Sequence, residues 1–173
     1  MDILLGAAVV LFLSVAFTVF FGAPYVPSRR REIRQAFTNL YPLSHTDTVV
    51  DLGSGDGVVL RIAREFGAKA VGYELSPPLA WLSRALAGGD TGQAIINQSY
   101  WGADFPQHTT VVYAFSDRRD IQKIHALTQK QADRLGKPLA LMTYGFEHTY
   151  KKPVKTQGAY FLYNITPCGN GQA

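Results

Sequence analysis

Residues 48 to 57 read Thr-Val-Val-Asp-Leu-Gly-Ser-Gly-Asp-Gly, and this stretch constrains the fold more than any other. A β-branched run, Thr48 to Val50, reaches an acid, Asp51, and then meets glycines at alternate positions, Gly53, Gly55 and Gly57. From Val58 to Phe66 the apolar residues Val59, Ile62, Ala63 and Phe66 share one helical face. The pattern predicts a buried strand, a tight turn and a helix start. Glycine takes positive φ without strain and leaves no Cβ in the way of a ligand. The first N–H groups of a helix lack intrahelical partners, so they are expected to point into the same space. In outline this is a site for a nucleotide-type cofactor.

The acids narrow the cofactor. The dinucleotide fingerprint is G-x-G-x-x-G, but here Gly57 comes one residue early and Val58 stands where the third glycine belongs. A carboxylate two residues before the first glycine disfavours a pyrophosphate and suits an ammonium group. Lys69 to Glu74 reads as a second strand, and a carboxylate at its tip is placed to accept from both hydroxyls of a ribose. S-adenosylmethionine carries an ammonium, a ribose diol and no phosphate. It is the cofactor these residues predict, held by Asp51, Gly53, Ser54, Gly55, Gly57 and Glu74. Taken alone, the glycine motif also admits a nicotinamide or flavin site, or an incidental αβ turn.

The remaining elements predict an α/β, doubly wound, Rossmann-like parallel sheet. A helix capped by Ser28 turns Ile33, Ala36, Phe37 and Leu40 to one face, lying across one edge of the cofactor site. Ser76-Pro77-Pro78 opens another, with Leu79, Leu82 and Leu86 as its inward stripe and Trp81 read as packing off that stripe. Strands follow at 94–97, 109–115 and 138–144, with a helix at 117–135 turning Ile121, Ile124, Leu127 and Leu135 inward, and one last strand at 158–165. The loop after the third strand carries Ser99, Tyr100 and Trp101 where open α/β sheets bind ligands. Its aromatics either stack on adenine, shape the substrate mouth, or cover the sheet edge. Glu147 and His148, in the loop after the 138–144 strand, are the candidates for handling the proton of an acceptor amine.

The 173 residues make about one domain. Residues 3 to 23 contain no charged side chain, and a helix of that length spans roughly 30 Å, the hydrocarbon thickness of a bilayer. A cleaved signal peptide would carry positive charge before the run, whereas here Asp2 precedes it and Arg29, Arg30, Arg31 and Arg34 follow. The run is therefore read as an uncleaved, single-pass anchor, with the bulk of the chain on the cytoplasmic or matrix-like side. The predicted division is an anchor at 1–23, a basic juxtamembrane segment and helix at 24–46, a catalytic domain at 47–166 and a tail at 167–173. The net charge of +4 comes largely from the arginines and from Lys151, Lys152 and Lys155, so it needs no nucleic acid to explain it. The arginines suit anionic headgroups of a lipid bilayer. The four histidines and lone Cys168 lack metal-ligand spacing, so no metal is predicted. A single cysteine also permits no intramolecular disulfide. Phe115-Ser-Asp-Arg118 replaces the Asn/Asp-Pro-Pro-aromatic run expected of enzymes that methylate a nucleic-acid adenine.

Asp51-Leu-Gly-Ser-Gly-Asp-Gly57 followed by Gly72-Tyr-Glu-Leu-Ser-Pro77 resembles the class I, seven-β-strand methyltransferases. The likeness is closest to the membrane-anchored protein-lysine methyltransferases related to the enzyme that modifies the c subunit of ATP synthase. Pro24-Tyr-Val-Pro27 and Trp101 match that subgroup, and the likeness runs from the anchor to about Thr149. The resemblance implies cofactor binding at Asp51, Gly53, Gly55 and Glu74, and methylation of lysine in membrane-embedded protein partners. It also implies a role for His148, which falls at a histidine of the related loop. Two positions depart from the subgroup: Ser99 replaces an acid that would bind the adenine amine, and Ser116-Asp117 replaces a small-residue and proline turn. Ser116 and Trp101 are the substrate-pocket candidates. The competing expectations are methylation of a lipid or quinone headgroup, and a module that binds the cofactor without turnover.

Overall fold

The computed structural model describes Gly6 and residues 30–168. The expected anchor, the Pro24–Pro27 segment, the Ser28 cap, Arg29 and the end of the tail lie outside the described residues. Among the described residues no helix is long and apolar enough to cross a membrane.

The chain order is α1 (Arg30–Asn39), β1 (Thr48–Leu52), α2 (Val58–Glu65), β2 (Lys69–Tyr73), α3 (Pro77–Ala87) and β3 (Gln93–Ile96). A 3-10 turn (Tyr100–Gly102), β4 (Val111–Ser116), α4 (Ile121–Leu135), β5 (Leu139–Gly145), β6 (Lys155–Gln157) and β7 (Tyr160–Ile165) complete it. The strands form one sheet ordered β3-β2-β1-β4-β5-β7-β6. The first five are parallel, while β7 runs antiparallel between β5 and β6. The expected all-parallel sheet is thus corrected at one end, where the single last strand is a hairpin. Its first strand, Lys-Thr-Gln, is short, polar and at the sheet edge, so it carries no apolar alternation to read.

The sheet separates two apolar layers. On one face α1 and α2 pack Ile33, Phe37, Leu60 and Ile62 against Val49, Tyr113 and Met142. On the other, α4 places Ile124, Leu127 and Leu135 against Val112 and Leu141, with Phe105 filling the space over Tyr73. The faces of α1 and α4 follow the predicted periodicity. Residues 117–120 form a turn instead of helix, because the Asp117 carboxylate accepts from the N–H groups of Arg119 and Asp120 and holds the chain short of α4.

The inward stripe expected for α3 is reversed. Its buried residues are Ala80 and Ser83, while Leu82, Leu86 and Trp81 are exposed, Trp81 by 68%. The cause is close approach. A Cβ built on Gly57 would meet the Ser83 hydroxyl, so α3 lies too near the glycine turn for a leucine between them.

Candidate functional site

The carboxyl ends of β1 and β2 meet at the glycine turn. Gly53, Gly55 and Gly57 all have positive φ, and the turn is fixed by its own hydrogen bonds. The N–H groups of Gly53 and Ser54 donate to the Tyr73 carbonyl at 2.9 and 3.0 Å, and that of Gly57 donates to the Ser54 carbonyl at 2.8 Å. Val58 N–H donates to the Asp56 carboxylate, and Gly55 N–H to Glu74 Oε2 at 2.7 Å. The N–H groups of the three glycines are therefore consumed in shaping the turn. A pyrophosphate needs such donors; a cofactor without phosphate does not. Gly53 is open, with nothing within 4 Å of where its Cβ would stand.

Two carboxylates line this turn. Asp51 sits between Gly72 of β2 and Tyr113 of β4 in register, and it is only 3% exposed. Burial, then Glu74, then Asp56 hold its carboxyl well above the usual carboxylate range. No hydrogen bond or ion pair reaches the Asp51 carboxylate among the described residues, whereas Asp56 is paired with Arg61 at 3.1 Å. A buried acid facing other acids lacks a cation, and a ligand ammonium would supply it. Glu74 is buried too, and its two oxygens accept from Gly55 N–H and Ser76 N–H, both at 2.7 Å. It pins the turn to the start of α3, and its oxygens retain further lone pairs able to accept. Asn97 Nδ2 donates to the Glu74 carbonyl at 2.8 Å and holds the same corner from the end of β3. Neither Asn97 nor Asp56 is marked by a local sequence signal. The partner of Asn97 lies on another strand, and Asp56, though within the glycine motif, is paired with Arg61 five residues on.

Ser54 is placed differently from the ligand-facing role expected of it. Its side chain is buried against Gly72 and its hydroxyl has no hydrogen-bond partner among the described residues.

The parallel order β3-β2-β1-β4-β5, with β7 turned back beside β5, is the seven-strand sheet that the sequence motifs imply. No protein-family model matches the chain. The chain is 38% identical over 92 residues to the ATP synthase c-subunit lysine N-methyltransferase of Rattus norvegicus, covering 51% of this chain and 42% of that protein. The Xenopus laevis protein of the same name is 46% identical over 61 residues, which is 35% of this chain and 26% of its own length. The match thus spans less than half the length of these curated relatives. Among solved structures, an RNA methyltransferase from Salinibacter ruber in complex with S-adenosyl-L-homocysteine has a TM-score of 0.73 at 26% identity. The likeness covers 82% of this chain and 94% of that one. Geranyl diphosphate methyltransferase, in complex with S-adenosylmethionine, has a TM-score of 0.55 at 21% identity, covering 72% and 52%. The chain has the class I methyltransferase fold.

Beyond the turn, the methyltransferase sheet brings the other predicted residues to its carboxyl edge in two groups. Ser99 opens the 3-10 turn and its hydroxyl accepts from Trp101 N–H. Tyr100 packs its ring on Trp101 at 4.7 Å, and burial followed by Asp120, Asp117 and Glu74 pushes its hydroxyl up to about 12. Tyr100 is partly buried against the core on that face, with Trp101 exposed beside it. Ser116 is fully buried and donates to the Phe146 carbonyl at 3.2 Å, so it holds the next loop and does not line an opening. That leaves Phe146 exposed, with the Arg118 guanidinium 5.9 Å from its ring centre.

Glu147 is exposed. His148 turns away from the glycine turn toward α4 and β7. Its N–H donates to the Tyr163 hydroxyl, its ring lies 5.0 Å from that of His125, and its Nδ1 accepts from the N–H groups of Tyr150 and Lys151. Burial, then Lys151, lowers its pKa. Among the described residues no group of metal-binding side chains comes together.

Proposed function

We propose that this chain is a membrane-anchored, S-adenosylmethionine-dependent methyltransferase that acts on a lysine of a membrane-associated protein. The observation that carries the cofactor is the buried Asp51, unpaired beside Glu74, under a glycine turn whose own N–H groups are already bonded. Asp51 receives the ammonium and Glu74 the ribose hydroxyls, with the open face of Gly53 admitting the ligand. Tyr100, packed on Trp101, and Ser99 would lie on the adenine side. Trp101 and Phe146 border the acceptor side. Lysine as acceptor is supported by the names of the curated relatives, and the anchor by the uncharged run at 3–23 followed by arginines.

Bound in this cradle, the sulfonium supplies a methyl group already activated for in-line displacement. The protein's contribution is then positioning and a dry approach. The aromatic faces of Trp101 and Phe146 suit a lysine's methylene chain and its ammonium. The amine must lose its proton before it attacks. His148 is not assigned that step, because its Nδ1 is spent on the loop backbone, and no other side chain is assigned it.

Membranes from cells expressing the chain, incubated with methyl-labelled cofactor, are to be separated into protein, lipid and RNA. The expected result is label in protein, as methyl-lysine. Label confined to lipid would move the acceptor to a headgroup or quinone. Label confined to RNA would replace the protein acceptor altogether. Cofactor binding without label in any fraction would make the chain a binding module.

A further inference from the structure

The loop between β5 and β6, residues 146–154, is pinned and yet presents apolar side chains to solvent. His148 anchors it from within: its N–H is held by Tyr163, and its Nδ1 gathers the N–H groups of Tyr150 at 3.1 Å and Lys151 at 3.0 Å. Val154 N–H is fixed to the Leu162 carbonyl at 2.7 Å. Between these ties Tyr150 is 83% and Val154 54% exposed. The exposure is thus a built feature of the loop.

Beneath the loop lies a cleft of about 150 Å³, lined by His125 and Gln129 of α4, Lys151, Lys152 and Val154 of the loop, and the adjoining part of β7. No carboxylate lines it. Neither Lys151 nor Lys152 forms an ion pair among the described residues. Of the acids around it, Asp133 accepts from Gln129 and from Cys168 N–H, and Glu147 is exposed. Two unneutralised ammonium groups over a cleft edged with amides suit a phosphate. The aromatic and aliphatic side chains beside them suit the zone just below it in a bilayer.

We propose that this loop and cleft are a headgroup site, which takes the phosphate of an anionic phospholipid between Lys151 and Lys152 and seats Tyr150 and Val154 in the interfacial layer. The site lies at the end of the sheet where α1 enters. Glu32 acts on Tyr160 of β7, and Asn39 bonds Gln157 of β6 at 3.1 Å. There α1 packs on one face of the sheet, and the loop lies on the other, beside α4. The inference rests on the proposed membrane location but not on the anchor, because the loop carries its own attraction to the surface.

The test uses the full chain with Cys168→Ser and a fluorophore on Tyr150→Cys. It is mixed with vesicles of brominated phosphatidylcholine, with or without phosphatidylserine. A label on Gln122→Cys, exposed on α4, is the control. The expected result is several-fold stronger quenching at position 150 than at 122 in serine-lipid vesicles, lost in Lys151→Gln/Lys152→Gln. Vesicle association with quenching no stronger at 150 than at 122 would overturn the site while leaving the anchor standing. Association only with serine-lipid vesicles, lysine-dependent, would remove the anchor and keep the site. Association with neither overturns both. Displacement by millimolar inorganic phosphate would make it a soluble-phosphate site and overturn the lipid assignment. A lysine-dependent shift of single-stranded RNA without quenching would overturn it in favour of nucleic acid.

Discussion

At the residue scale, Gly53 and Gly57 share a left-handed backbone but answer to different neighbours. Gly57 at φ 78° faces Ser83, whereas Gly53 at φ 83° faces open space. Gly57→Ala therefore combines about 1–2 kcal/mol of backbone strain with about 1–3 kcal/mol of overpacking, and Ser83→Gly should restore the second part. Gly53→Ala incurs only the strain, yet should abolish cofactor binding if the open space above it is where the proposed ligand sits. Denaturant melts beside cofactor titrations would separate the two; equal behaviour would sink the distinction. Asp51 makes the opposite exchange. Its folded pKa is raised, so the contribution to stability is complete below the ordinary carboxylate range and is lost as pH rises toward the folded value. Asp51→Asn should thus raise the melting temperature of the ligand-free chain at neutral pH, with the gain vanishing below about pH 3.8. The same change should weaken cofactor binding by about 10- to 100-fold, the loss of one charge-assisted contact. The motif made Asp51 and the glycines visible because each is a local requirement of a strand-turn-helix step. Glu74's bonds to Gly55 and Ser76, and the burial of Ser116, depend on which strands lie adjacent, so nothing at those positions announced them.

At the element scale, α3 shows where periodicity stops informing. Leucines at 79, 82 and 86 do make a stripe, but a stripe identifies a face without saying what lies against it. The small face, Ala80 and Ser83, is buried because the glycine turn brings α2 and α3 close. Leu82→Gln and Leu86→Gln should accordingly change unfolding free energy by no more than about 0.5 kcal/mol each, as exposed substitutions do. Ala80→Leu should destabilise by about 1–3 kcal/mol through overpacking. If the leucine changes prove the more damaging, α3 does not pack on the glycine turn by its small face. By contrast α4 has its apolar positions buried as their spacing predicts, because a long helix over the sheet centre has apolar neighbours along its whole inner face.

For the whole molecule, the parallel strands were legible because each is a short apolar run bounded by turn residues, and the crossovers through α2, α3 and α4 have helical period. The β6–β7 hairpin was not, since an edge strand of three polar residues carries neither signal. The proposed orientation at a membrane is the remaining property at this scale, and the chain contains its own reporter. Cys168 is the only cysteine in the sequence, it is exposed, and its backbone N–H is tied to Asp133 of α4, so it stays with the folded domain. If the arginines after residue 23 hold the domain on the cytoplasmic side, a membrane-impermeant maleimide should leave Cys168 unmodified in intact bacterial spheroplasts. Lysis should then expose it to full labelling, and Cys168→Ser should give none in either state. Labelling before lysis would place the domain on the other face, out of reach of cytoplasmic cofactor. It would overturn the proposed orientation without touching the fold or the Asp51 site, because neither depends on which side of a bilayer the sheet stands.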